Sequence, residues 1–127
     1  MRGTPARVLC AIAVGSMVAA TAACGMSEET RAACDTIKKQ LDTVTARAQE
    51  QVTEPSTAAK IYAEAATKIR AEADKADGDV ADAADKVAAD MDSLAKTLEQ
   101  AAKGTAHTPN ANDLMKDSAE LQEACTG

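Results

Sequence analysis

Aromatic residues are almost missing: in 127 residues there is one tyrosine, Tyr62, and no phenylalanine or tryptophan. That excludes base stacking on aromatic platforms and aromatic cages for cationic ligands. It also removes the side chains that fill sandwiches and barrels. Long apolar runs are missing as well; the longest, Val8 to Ala20, is 13 mostly apolar residues, short of the ~20 that a spanning helix needs. Basic charge is scarce, with 14 Lys and Arg against 20 Asp and Glu and a net charge of −6. An acidic surface is a poor match for nucleic acid or anionic lipid headgroups. A single histidine, His107, in the loop Ala106-His107-Thr108-Pro109, leaves little for acid–base chemistry and reads as a solvated residue.

What is abundant is alanine, at 31 positions, the strongest intrinsic helix former. An all-α fold is the expectation.

The first 23 residues read as an export signal. Arg2 and Arg7 precede the apolar stretch, and the small residues Thr21-Ala22-Ala23 precede Cys24, the three-part layout of a cleavable secretory segment. Two cleavage readings stand side by side. Ala20-Thr21-Ala22 satisfies ordinary secretion. Thr21-Ala22-Ala23-Cys24 resembles the lipobox, departing from it at Thr21, where an aliphatic residue is usual. The cysteine count favours the second. Cys10 leaves with the signal, and plain secretion would leave Cys24, Cys34 and Cys125, an odd number in an oxidising compartment. Lipidation of Cys24 leaves one pair. The domains are then 1–23 as signal, 24–27 as lipidated terminus and linker, and 28–127 as a helical unit. The exported part keeps all 20 acids and 12 bases, for a net charge of −8, so attachment must come from the lipid. The expected location is the outer face of the membrane, with free secretion as the alternative.

Apolar residues recur at alternating spacings of three and four, which marks helices buried along one stripe. The stripes run Cys34, Ile37, Leu41, Val44, Ala48, Val52; Ala58, Tyr62, Ala65, Ile69, Ala73, Ala76; Val80, Ala84, Val87, Met91, Leu94, Leu98, Ala101; and Ala111, Leu114, Ser118, Leu121, Cys125. They predict an up-down-up-down four-helix bundle with helices at about 28–53, 56–77, 79–103 and 110–125. Expected caps are Ser27 or Thr30, Ser56, Asp79, and Asn110 or Asn112. Gly78 is the weak boundary, because the stripe crosses it in phase. A continuous helix over 56–103 would be ~72 Å long and would carry Cys125 far from Cys34, whereas a disulfide needs Cα atoms within ~7 Å. A Cys34–Cys125 bond therefore requires a turn at Gly78.

Chemistry-bearing motifs are few. There is no G-x-S-x-G, H-E-x-x-H, glycine-rich phosphate loop or C-x-x-C, and no cysteine is spare once 34 and 125 pair. The expectation is a protein that is not an enzyme and needs no cofactor. The densest charge lies in residues 72–92, with eight acids against Lys75 and Lys86. Asp74, Asp77, Asp79 and Asp82 are the candidates for calcium, which takes six to eight oxygens, although the spacing does not match an EF-hand; the plainer reading is a solvated turn. Tyr62, Met91 and Met115 read as packing residues. Lys38, Lys39, Lys68 and Arg70 read as partners of nearby acids, as in Glu64–Lys68 at i, i+4.

With the lipobox-like Thr21-Ala22-Ala23-Cys24, the paired cysteines and alanine-rich runs such as Ala58-Ala59-Lys60-Ile61-Tyr62-Ala63-Glu64-Ala65-Ala66, the chain resembles the small secreted lipoproteins of actinobacteria. That resemblance implies a location and no activity. Three functional classes follow. The first is a tethered, non-enzymatic binding or spacer module for an unknown cell-envelope protein. The second is a lipoprotein holding a small ligand or lipid in gaps of the alanine-rich core. The third is a weak calcium-binding protein acting through the 72–92 hairpin.

Overall fold

The computed structural model describes residues 25–105 and 108–127. The export segment, Cys24 and His107 lie outside the described residues. Within them are four helices and no strand: α1 Glu28–Glu50, α2 Pro55–Ala73, α3 Gly78–Ala102 and α4 Asn112–Thr126. Consecutive helices pack against one another, and the α2–α3 pair is the most extensive. The chain is an all-α four-helix bundle, as the stripes predict.

The core is built of small residues around a few large ones. Ala58, Ala59, Ala65, Ala66 and Ala73 of α2 are buried, as are Ala83, Ala84, Ala88 and Ala95 of α3. Alanine lets two helix backbones approach closely, since interaxial distance follows side-chain size, and this accounts for the dominance of the α2–α3 pair. The largest fully buried side chains are Ile37, Ile69, Val87, Met91 and Leu121, and together they draw on every helix. No described helix is long and apolar enough to cross a membrane.

Helix ends fall short of the stripes. Helix α1 stops at Glu50, so Val52 lies in the following turn and is 77% exposed instead of buried. Helix α2 stops at Ala73, and Asp74–Asp77 form the turn into α3. Gly78 there has φ +55°, a left-handed conformation that strains any residue with a Cβ. The chain therefore turns at Gly78.

Caps are only partly as expected. Ser27 does cap α1: its Oγ accepts from the Thr30 amide at 3.1 Å. Pro55, not Ser56, opens α2 behind Glu54, its fixed φ suiting the first helical position. Asp77, not Asp79, occupies the cap of α3 and makes no capping bond with its side chain. Ala111 takes that place at α4, while the Asn110 Oδ1 accepts from the Asn112 amide.

Candidate functional site: the disulfide end of the bundle

Three pieces of chain meet at one end of the bundle: the segment entering α1, the α2–α3 turn and the last turn of α4. Thr30, 2% exposed, is the buried polar residue that ties the first two. Its Oγ1 accepts from the Asp77 amide at 3.0 Å and from the Ser27 hydroxyl at 2.8 Å. The Asp77 Oδ2 in turn lies 3.2 Å from the Ser27 Oγ and 3.5 Å from the Thr30 Oγ1. Without the Thr30 hydroxyl the Asp77 amide loses its acceptor. Thr30→Val should therefore lower stability by about 1–3 kcal/mol and Thr30→Ser by clearly less. Denaturant melts of the two variants check this.

One turn along α1, Cys34 is joined to Cys125 of α4, with Cα atoms 5.8 Å apart across a sequence separation of 91. Cys34 is buried and Cys125 half-buried. The expected pairing and the expected turn thus occur together, as the length argument requires.

Hollows lie along the helix seams. The one between α1 and α4, about 360 Å³, has Cys34, Ile37, Leu41, Leu121 and Cys125 on its floor, with Arg31, Asp35, Lys38 and Asp42 along its α1 wall. One buried guanidinium nitrogen of Arg31 has no hydrogen-bond partner among the described residues. A second, about 480 Å³, lies between α3 and α4 among charged residues that include Asp79, Asp82, Lys86 and Glu120.

The calcium candidates do not converge. Among the described residues no group of three or more His, Cys, Asp or Glu is placed to hold a metal. The Asp77 carboxylate lies beside the Ser27 and Thr30 hydroxyls, and Asp79 and Asp82 face the α3–α4 seam. Tyr62 packs half-buried against the core, and that burial pushes its hydroxyl pKa up. Met91 is a core residue, 1% exposed, but Met115 is 71% exposed, contrary to its reading as packing. Helix α4 is short and buries only Leu121 fully, so a side chain one position off Leu114 faces solvent. Arg70 bonds across the bundle to Asp92 of α3 at 2.6 Å. The i, i+4 pair Glu64–Lys68 is not among the ion pairs of the described residues.

A carboxyl cluster escaped the sequence reading. Asp90 of α3 meets Asp117 and Asp113 of α4. Burial, a side-chain hydrogen bond to Asp117 and the charges of Asp117 and Asp113 push its pKa up from 3.8 to about 6. Its Oδ2 is buried and accepts no bond. A signal was present: Asp117 falls between Leu114 and Leu121 on the inner face of α4.

Comparison with protein-family models, with curated proteins and with solved structures returns no match.

Proposed function

We propose that the protein is a membrane-anchored extracytoplasmic lipoprotein whose helical bundle is a non-enzymatic binding or spacer module of the cell envelope. The observation that carries this reading is the placing of the cysteines. With Cys34 joined to Cys125, Cys24 is the odd cysteine of the exported part, sitting where a lipobox-like sequence would have it acylated. Two or more acyl chains at one residue give stable attachment. Gly25 and Met26 then lead directly into the Ser27–Thr30–Asp77 contacts, so a tether at Cys24 holds the disulfide end towards the bilayer. The acidic flank of α3, with six acids against Lys86 and Lys96, stands outward for an envelope protein carrying the opposite charge.

Cys24→Ser tests the anchor. The wild-type chain is expected in the membrane fraction and to partition into detergent, while the variant is expected in the soluble fraction. A variant that stays in the membrane overturns the reading. The α1–α4 groove, with its apolar floor and a volume within the range of small-molecule sites, favours a second reading, a lipoprotein that holds an apolar ligand in that seam.

A further inference from the structure

One side of the bundle is left open. Consecutive helices pack against one another and α1 also meets α3, but α1 and α4 share no extensive packing. Their seam is closed at one end by Cys34–Cys125, and among the described residues no ion pair crosses it. The groove of about 360 Å³ lies in that seam. From Arg31 to Asp42 it follows α1 for ~16 Å. Leu41 packs against the core there but is only half-buried, so apolar surface is left that α4 does not cover.

The charge at the disulfide end of the groove is unmatched. Arg31 precedes Cys34 by one turn of α1 and lines the groove. It takes part in no ion pair among the described residues, although Asp35 lies one turn further along the same helix. A buried nitrogen of its guanidinium has no acceptor. A donor left unpaired out of water is destabilising, and an acceptor supplied by a ligand offsets that. A carboxylate suits it best, since its two oxygens match the guanidinium fork. Beyond Arg31, the groove residues Asp35, Lys38 and Asp42 are all exposed and alternate in sign, so the wall offers no second unopposed cation. The floor of Ile37, Leu41 and Leu121 carries no side-chain donor or acceptor.

We infer that the α1–α4 groove is a binding site for a long-chain monocarboxylate, a fatty acid, with its carboxylate on Arg31 and its chain laid along Ile37, Leu41 and Leu121. This names the ligand class for the apolar-ligand reading of the seam and rests on that reading. One anionic head meets one unpaired guanidinium. The volume, at the lower end of the ~300–1,000 Å³ of ligand sites, suits a single chain better than a two-chain lipid. The Cys34–Cys125 bond joins α1 to α4 at the end where the head sits, so Arg31 and the floor keep their spacing when the seam is filled. The groove is already present between the helices, and binding calls for no rearrangement of α4.

Photolabelling of the full-length chain in phosphatidylcholine nanodiscs tests this. The probes are dodecanoate carrying a diazirine near the end of its chain and the matching dodecanol, compared at equal loading, and mass spectrometry reads the labelled residues. The acid is expected to label the segments around Leu41 and Leu121 about tenfold more than the alcohol, the ratio a hydrogen bond to a charged group provides. Arg31→Gln should abolish that preference while leaving the alcohol's labelling of the seam unchanged, which also reports that the variant is folded. Arg31→Lys should restore part of the preference. Equal labelling of the seam by acid and alcohol, or a preference that survives Arg31→Gln, overturns the carboxylate assignment while an apolar ligand in the seam still stands. Labelling of the seam by neither probe overturns the apolar-ligand reading and this proposal with it.

Discussion

Reduction of the Cys34–Cys125 bond is expected to lower the melting temperature by about 20 °C or more. Joining residues 91 apart removes loop-closure entropy from the unfolded chain worth about 4–5 kcal/mol. A domain of this size is typically stable by only 5–15 kcal/mol, and about 1 kcal/mol moves the melting temperature of a ~100-residue domain by about 4–8 °C. The core explains why the bond matters so much here. Many of its buried positions are alanine, which stabilises a helix through propensity but buries little apolar area. Thermal melts with and without a dithiol reductant, and of the Cys34→Ser/Cys125→Ser double variant, measure the effect. Equal melting temperatures in all three would show that the cross-link contributes nothing.

The same alanines explain how much of the fold is legible in the sequence. Helix number, order and inward faces follow from the three-and-four periodicity, because each stripe, such as Ile37, Leu41, Val44 in α1 or Val80, Ala84, Val87, Met91 in α3, has only one side to bury. The ends are less legible because periodicity does not record where backbone groups find partners. The stripe continues through Val52 and Ala76, yet α1 and α2 stop at Glu50 and Ala73. Gly78 is decided by a contact between distant residues: only the pairing of Cys34 with Cys125 separates a turn from a continuous helix.

The disulfide end was legible as a staple, but not the Thr30–Asp77 contacts that order it, since these join residues 47 apart through hydroxyls that carry no periodic signal. Asp90 was hidden for a related reason. Beside Met91 it reads as the solvent flank of a stripe, and only the α3–α4 register brings Asp117 against it. Met115 errs in the opposite sense, its apolar side chain reading as core although the helix that carries it has one fully buried position.

Leu121→Ala is expected to destabilise the bundle by about 2–5 kcal/mol, the range for truncating a buried leucine. Its effect should depend on the cross-link one turn away. In the oxidised chain Cys125 stays bound to Cys34, so α4 cannot leave; the space left by Leu121 opens into the groove beside Ile37 and Leu41, where water can enter. That places the loss towards the lower part of the range. In the reduced chain the same substitution removes the only fully buried side chain of a 15-residue helix after its covalent tie has gone. Residues 112–126 should then lose helicity ahead of the main transition, since a helix of that length is marginal in water without packing. The two changes lie four residues apart on one helix and act on the same docking step, so their effects should not add. A double-mutant cycle combining Leu121→Ala with the paired cysteine-to-serine variant measures this. A coupling energy of zero would mean that α4 does not dock through Leu121 and Cys125 as one unit. A clear coupling, with an early loss of far-ultraviolet signal in the combined variant alone, would identify this turn of α4 as the point on which its attachment depends.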